Sequence, residues 1–343
     1  MAVALAAPDK FRGTLSASGA AEAMGRGLEA AGFEEVRRLP LADGGEGTLD
    51  ALLSALGGSV RRAQVTGPLG EPVEAEWLVL PDGTAVVESA RASGLALVRG
   101  ANDPLVATSR GTGELLAAAV RGGARRMIVA VGGSAMTDGG LGAVDALGWS
   151  LAGLEVTVAC DVATPFVEAA RVFAPQKGAT AAQVSLLSRR LERLAEVYRD
   201  RTGTDVAEMR HAGAAGGLAG GLAAIGARLQ PGFEVVARAA GLEAALAGAD
   251  LVLTGEGRLD ASSFDGKVPG GVLEWAEAEG IACRAVVAGQ VAADATELLP
   301  EGILVLALVD RVWQEGEAWS RAETLVEEAA VEAGRWALSH EGG

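Results

Sequence analysis

Lysine is almost missing from this sequence, with three residues against 26 arginines in a chain of 343. Lysine carries a compact point charge on a flexible stem and arginine a planar fork, so the two are not interchangeable where phosphate or protons are handled. All three lysines lie in glycine-rich, loop-like segments: Lys10 in Pro8-Asp9-Lys10-Phe11, Lys177 in Pro175-Gln176-Lys177-Gly178, and Lys267 in Asp265-Gly266-Lys267-Val268-Pro269. Chance survival accounts for any one of them about as well as function does, but three in similar contexts point to an anion site. Histidine is scarcer still. His211 and His340 are the only two, which argues against a histidine-centred triad or zinc site. The two cysteines, Cys160 and Cys283, have no metal-ligand spacing and sit in or beside apolar runs, as buried thiols of a reducing compartment would.

Long apolar runs are also lacking. The longest uncharged stretch, Ala212 to Ala227, is too short and too glycine-rich to span a bilayer. Residues 1–7 carry no positive region before their apolar run and read as a first strand, not a signal peptide, so a cytoplasmic protein is expected. The formal net charge of −16 argues against nucleic acid, whose affinity rests on lysine and arginine neutralising phosphates. A small phosphorylated ligand is still compatible with it, because exposed charges beyond about 8 Å are screened at physiological salt. No G-x-x-x-x-G-K-[ST] occurs, and the first strand is not followed by G-x-G-x-x-G, which weakens a dinucleotide reading.

What is present is glycine, 49 residues of it, and a chain that is half hydrophobic. The length suggests two domains at about 150 residues each. Short apolar runs followed by glycine-rich turns and helical patterns predict parallel βα units at both ends of the chain. Strands are expected at 3–7, 36–39, 251–254, 285–288 and 303–307, with helices at about 16–31, 48–56, 267–279 and 319–338. Residues 60–90 alternate and carry turn signals, as antiparallel strands do. Between 104 and 227 come helices at about 112–121, 139–148, 181–202 and 214–226 and strands at 126–131 and 155–160. The economical arrangement is a discontinuous α/β domain, 1–59 plus 246–343, with a second α/β domain containing a mixed sheet inserted at 60–245. Five parallel strands in the order 2-1-3-4-5 would set the first beside the third, with the ligand crevice outside their carboxyl ends. Asp9 and Lys10 would then face Gly255-Glu256-Gly257-Arg258.

Three segments concentrate the chemistry. In 250–269 a strand is expected to end at two glycines, Gly255 and Gly257, that let a ligand approach the backbone. Glu256, Arg258, Asp260, Asp265 and Lys267 follow within twelve residues, more charge than a helix cap uses. In 126–140 a buried strand runs into Gly132-Gly133-Ser134, and Thr137-Asp138-Gly139-Gly140 opens a helix. That is a phosphate cradle of hydroxyls and free amides. Asp138 suggests Mg²⁺ or a catalytic base, with an N-cap as the equal alternative. Arg110, in Thr108-Ser109-Arg110-Gly111-Thr112-Gly113-Glu114, is suited to grip a carboxylate or phosphate bidentately. Asp161, after Cys160, adds an acidic group at a strand end.

At these residues the chain resembles bacterial glycerate kinases, a family with paired flavodoxin-like and restriction-enzyme-like domains. The matching strings include Ala42-Asp43-Gly44-Gly45-Glu46-Gly47-Thr48, Thr66-Gly67-Pro68-Leu69-Gly70, Thr108 to Glu114, Gly132-Gly133-Ser134-Ala135, Asp138-Gly139-Gly140, Pro175-Gln176-Lys177-Gly178-Ala179, Thr254-Gly255-Glu256-Gly257-Arg258 with Asp260, and Gly266-Lys267-Val268-Pro269. They fall in family order over nearly the whole chain. Three departures stand out. The family's basic residue after the first strand is matched by Arg12, while Lys10 falls at a variable position. The asparagine before the aspartate of the third loop is Thr137. The segment between Leu147 and Val156 is shorter by a few dozen residues.

The resemblance implies ATP-dependent phosphorylation of D-glycerate to 2-phosphoglycerate in a cleft between two domains, with Mg²⁺. The alternatives are the 3-hydroxyl, another small hydroxyacid, or a non-catalytic nucleotide- or hydroxyacid-binding protein. Lys177, Lys267 and Arg258 would neutralise the triphosphate and the developing charge. Asp43, Asp138 and Asp260 are candidates to orient the substrate hydroxyl and take its proton. Arg110 or Arg12 would hold the glycerate carboxylate, with Asp9, Ser134 and Glu256 also at the substrate. Gly132, Gly133, Gly139, Gly255 and Gly257 would approach the nucleotide, and Asp138 with Asp161 would hold the metal. No nucleic-acid or membrane partner is expected, and a homodimer is compatible with the sequence.

Overall fold

The computed structural model of the protein describes residues 2–313 and 315–340. Among the described residues eleven strands fall into two sheets. We label them β1 (Val3–Ala6), β2 (Glu35–Arg38), β3 (Ser59–Thr66), β4 (Pro72–Val79), β5 (Ala85–Glu88), β6 (Arg126–Ala130), β7 (Glu155–Cys160), β8 (Arg228–Pro231), β9 (Leu251–Leu259), β10 (Cys283–Val291) and β11 (Leu304–Ala307). The first sheet runs β2-β1-β9-β10-β11, all parallel, which is the expected 2-1-3-4-5 order. The second runs β3-β4-β5-β6-β7-β8 and is mixed: the β3–β4 and β4–β5 pairs are antiparallel and the rest parallel.

The chain divides into two compact units. One comprises the chain up to Asp43, Asp50–Ala55 and the chain from Val236 onward; the other comprises Gly44–Leu49 and Leu56–Val235. In the first unit β1, Val-Ala-Leu-Ala, is buried throughout, as a central parallel strand covered on both faces must be. Ser16 caps the helix Ala17–Ala31 by accepting from the Gly19 amide. That helix packs on Ala322–His340 so closely that a Cβ on Gly27 would lie 2.6 Å from the Cβ of Ala330.

Several elements differ from the sequence expectation. β9 does not stop at Thr254 but continues to Leu259, pairing Glu256 with Ala288 and Arg258 with Gln290. The Gly-Glu-Gly-Arg run is therefore strand, not loop. Its glycines serve packing, since a Cβ on Gly255 would sit 2.1 Å from the Val287 carbonyl and one on Gly257 2.9 Å from the Arg12 amide. β8 has no apolar run to announce it and is an edge strand ending in Pro231, where a missing N–H does no harm. The helix expected over 214–226 is broken: Ala215, Gly216 and Gly217 are left-handed, and a regular helix starts only at Leu218.

The turn between Leu141–Ala146 and β7 is short and tightly held. Trp149 has a left-handed backbone (φ 62°), its indole Nε1 donates to Asp145 Oδ1 at 2.7 Å, and the Arg201 guanidinium lies 3.5 Å from the ring centroid. Among the described residues no helix is long and apolar enough to cross a membrane.

Candidate active site

Most residues picked from the sequence fall into two cavities, one in each unit. In the first unit a cavity of about 480 Å³ opens at the carboxyl ends of β1 and β9, the topological switch point of the sheet. The exit of β1 is tied to β9 by Ala7 N donating to Leu253 O (2.8 Å), Asp9 N to Gly255 O (2.9 Å) and Thr254 Oγ1 to Ala7 O (2.8 Å). These bonds fix Asp9 beside Glu256. Phe11 is buried and closes a tight turn with Leu15, which presents Lys10 and Arg12 at the cavity.

Four carboxyls and four cations line this space: Asp9, Asp43, Glu256 and Asp260 with Lys10, Arg12, Arg258 and Lys267. The carboxyls are not equivalent. Burial raises Asp9 to about 6, with Lys10 opposing and Asp43 reinforcing the rise. Burial likewise raises Glu256 to about 7, against a hydrogen bond from Ser263, and its Oε1 is buried with no hydrogen-bond partner. Asp260 goes the other way. It caps the turn Ala261–Phe264, accepting from the amide and hydroxyl of Ser262, and these bonds hold it below its ordinary value. Lys267 donates to that same Ser262 hydroxyl at 2.8 Å, and it stands at the N-cap of Val268–Ala278.

In the second unit Gly132, Gly133, Ser134, Asp161 and Lys177 line a cavity of about 310 Å³. Lys177 is 4% exposed and donates to Ser134 Oγ at 2.8 Å and to the Met136 carbonyl at 2.6 Å. Burial pushes its amine down to about 7, while Asp138 and Asp161 pull it back up. The left-handed turn at Gly216 belongs to this arrangement, because a Cβ there would lie 2.2 Å from Met136 O and 3.0 Å from Lys177 Nζ. Nothing in the local sequence marked the Met136 carbonyl or this turn as partners of Lys177.

The remaining picks lie elsewhere. Asp138 knots two loops together: Oδ2 accepts from Ser109 N and Oγ (both 2.8 Å), Thr108 Oγ1 (3.4 Å) and Gly142 N (3.3 Å), and Oδ1 from Gly140 N (3.1 Å). Ser109 is buried and also accepts from Ala143 N. The hydroxyls of this motif are thus turned to internal bonds. Arg110 is half exposed and paired with Glu114 at 2.9 Å. A Cβ on Gly139 would run into Leu191, Leu194 and Phe166, so packing already explains that glycine; Gly132, in the second unit's cavity, is also close-packed, against Gly45. Thr137, which stands where the resemblance leads one to expect asparagine, has a buried hydroxyl with no partner.

Removing the Asp138 carboxylate leaves buried donors at Ser109 and Gly142 unpaired. Asp138→Ala is therefore expected to destabilise the protein by about 3 kcal/mol, with Asp138→Asn intermediate because it keeps an acceptor. Urea unfolding of the three proteins checks this; equal midpoints would show that the knot contributes nothing.

A sequence profile of the glycerate kinase family matches residues 4–153 and 149–338. The two pieces meet at the tight turn around Trp149, within the segment that reads as shortened. The chain is 43% identical to a glycerate 2-kinase of Escherichia coli K12 over 309 residues, covering 79% of this chain and 81% of that protein. It is 38% identical to a glycerate kinase of Bacillus subtilis 168 over 87% of each chain. A crystal structure from Salmonella typhimurium LT2, described as a candidate glycerate kinase 2, superposes with a TM-score of 0.83 at 34% identity over 99% of both chains.

Proposed function

The chain belongs to the glycerate kinase family, and on that premise we propose that it transfers the γ-phosphoryl group of ATP to the 2-hydroxyl of D-glycerate, giving 2-phosphoglycerate and ADP. The observation that carries this reading is the first unit's cavity, where four cations and two burial-raised carboxyls meet at a sheet switch point. Phosphoryl transfer asks chiefly for positioning and for positive charge around the transferring group. Arg12, Arg258 and Lys267 supply that charge here, and Lys177 is the buried cation of the second unit's cavity. The 2-hydroxyl is preferred on the strength of the Escherichia coli relative, a glycerate 2-kinase.

A base that takes a hydroxyl proton works best with a pKa near the working pH. Asp9 meets that condition. Asp260 is held too acidic by its cap, and the oxygens of Asp138 are committed to five donors. We therefore assign Asp9 as proton acceptor in place of Asp138 and Asp260.

Among the described residues no three His, Cys, Asp or Glu side chains are grouped to hold a metal. Mg²⁺ needs only one or two carboxylates when phosphate oxygens complete its shell, so its arrival with the nucleotide fits this site. Glu256, with a buried oxygen lacking a partner, is the residue we assign to hold it. Bound there it would supply charge neutralisation between phosphate oxygens.

Incubation with D-glycerate, ATP and Mg²⁺, followed by phosphorus NMR, tests the proposal. 2-Phosphoglycerate and ADP are expected. 3-Phosphoglycerate would overturn the regiochemistry, and the absence of ADP would overturn the reaction.

A further inference from the structure

The lining of the first unit's cavity has two chemically distinct parts. One holds the carboxyls and cations already described. The other is apolar, walled by Leu308, Val309, Ala318, Ala322 and the indole of Trp319. Trp319 lies on the short helix Glu315–Ser320 and is 60% exposed. Aromatic side chains are 4% of this chain, so a tryptophan open to solvent on a cavity wall is a use of a scarce residue.

Its ring is nonetheless held in place. A Cβ on Gly13 would come within 2.9 Å of Cζ3, with Cη2 and Cε3 at 3.7 and 3.8 Å, so the six-membered edge of the indole rests on the bare backbone of Gly13. Gly13 has φ +82°, a second reason for glycine at that position. The loop that carries Arg12 thus also seats the tryptophan. A planar aromatic surface, seated on one edge and open elsewhere, is a stacking platform whose partner is another π-system. Glycerate has none, and at three carbons it would leave most of a cavity of about 480 Å³ unfilled. A ligand that joins an aromatic ring to phosphates matches both parts of this lining.

We propose that this cavity takes the nucleotide, with its base stacked on Trp319 and its phosphates among Arg12, Arg258 and Lys267. The assignment rests on the kinase reading above and adds to it where the phosphoryl donor binds and which residue recognises the base. Trp319 is then a binding residue that no motif in the sequence indicates.

The test compares wild type, Trp319→Phe and Trp319→Ala by calorimetric titration with ADP and, separately, with inorganic tripolyphosphate, in the absence of glycerate. Stacking on an aromatic side chain predicts about a 10- to 100-fold loss of ADP affinity in Trp319→Ala, with Trp319→Phe near wild type. Tripolyphosphate, which has no base, is expected to bind all three alike. Unchanged ADP affinity in Trp319→Ala overturns the proposal. So does an equal loss for ADP and tripolyphosphate, which would mean that the tryptophan only shapes the phosphate site. Because no acceptor is present, the result stands apart from whether glycerate is the substrate. A wild type that binds ADP through Trp319 but phosphorylates no glycerate would sink the kinase assignment and leave the nucleotide site intact.

Discussion

Lys177→Met is expected to lower kcat by about a thousandfold, the scale on which loss of a single cation acts in phosphoryl transfer. Methionine keeps the length and the apolar stem and removes only the amine. The amine is costly to keep. Burial takes it from 10.5 to about 7, and each unit corresponds to about 1.4 kcal/mol, so its charged form destabilises the fold by several kcal/mol near neutral pH. One of only three lysines in the chain is thus buried, where its charge is expensive, and such perturbed groups cluster at functional sites.

The sign of the pH dependence follows. Below about 7 both folded and unfolded chains carry the proton and the penalty is complete; between about 7 and 10.5 the folded chain sheds it first, and wild-type stability rises with pH. Lys177→Met should lack that rise and be no less stable than wild type at pH 7. Denaturant unfolding at pH 7 and 9.5, read beside turnover, separates the two effects. Near-normal kcat in a folded variant would remove Lys177 from the mechanism.

The second large effect is expected at Asp9. Asp9→Asn should reduce kcat by about 10²- to 10⁴-fold, the range spanned by general acid–base catalysis, and should abolish an acid limb of kcat/KM near pH 6. Here the linkage has the opposite sense. The folded-state pKa is raised from 3.8 to about 6, chiefly by burial, so the contribution to stability is complete below about 4 and is lost as pH rises through 6. At pH 8 the buried carboxylate destabilises the fold, and Asp9→Asn should be more stable than wild type by about 2 kcal/mol. A variant that is less active yet more stable is what a site built against stability predicts. Turnover within tenfold of wild type would place the base elsewhere.

Much of this was legible in the sequence. The order of the parallel sheet followed from βα texture at the two ends of the chain, since period and turn residues are local properties. Asp9, Arg12, Glu256, Arg258, Asp260 and Lys267 were picked from two segments some 240 residues apart, and the sheet brings them to one cavity. Less legible was the division of labour among similar motifs. The Thr108-Ser109-Arg110 segment reads as an anion grip and the Asp138 loop as a phosphate cradle, and the structure turns the Thr108 and Ser109 hydroxyls on the Asp138 carboxylate. A hydrogen-bonding group looks the same in a sequence whether its partner is a ligand or a backbone amide 29 residues away. The extension of β9 through Gly255-Glu256-Gly257 was missed for a related reason. Glycine in a strand reads as an ending, unless one knows that the Val287 carbonyl and the Arg12 amide occupy the space its side chain would need.

By itself, then, the sequence determined the family, the α/β class with its five-strand order, and the set of charged residues from which any site must be built. Those depend on residue type and short-range spacing. Only the tertiary structure decided that Lys177 is a buried amine lowered to about 7, that Asp9 and Glu256 are raised while Asp260 is lowered, and that Trp319 stands over Gly13 on the cavity wall. Burial and contact set those properties, and both are sums over neighbours that the chain brings together only when it folds.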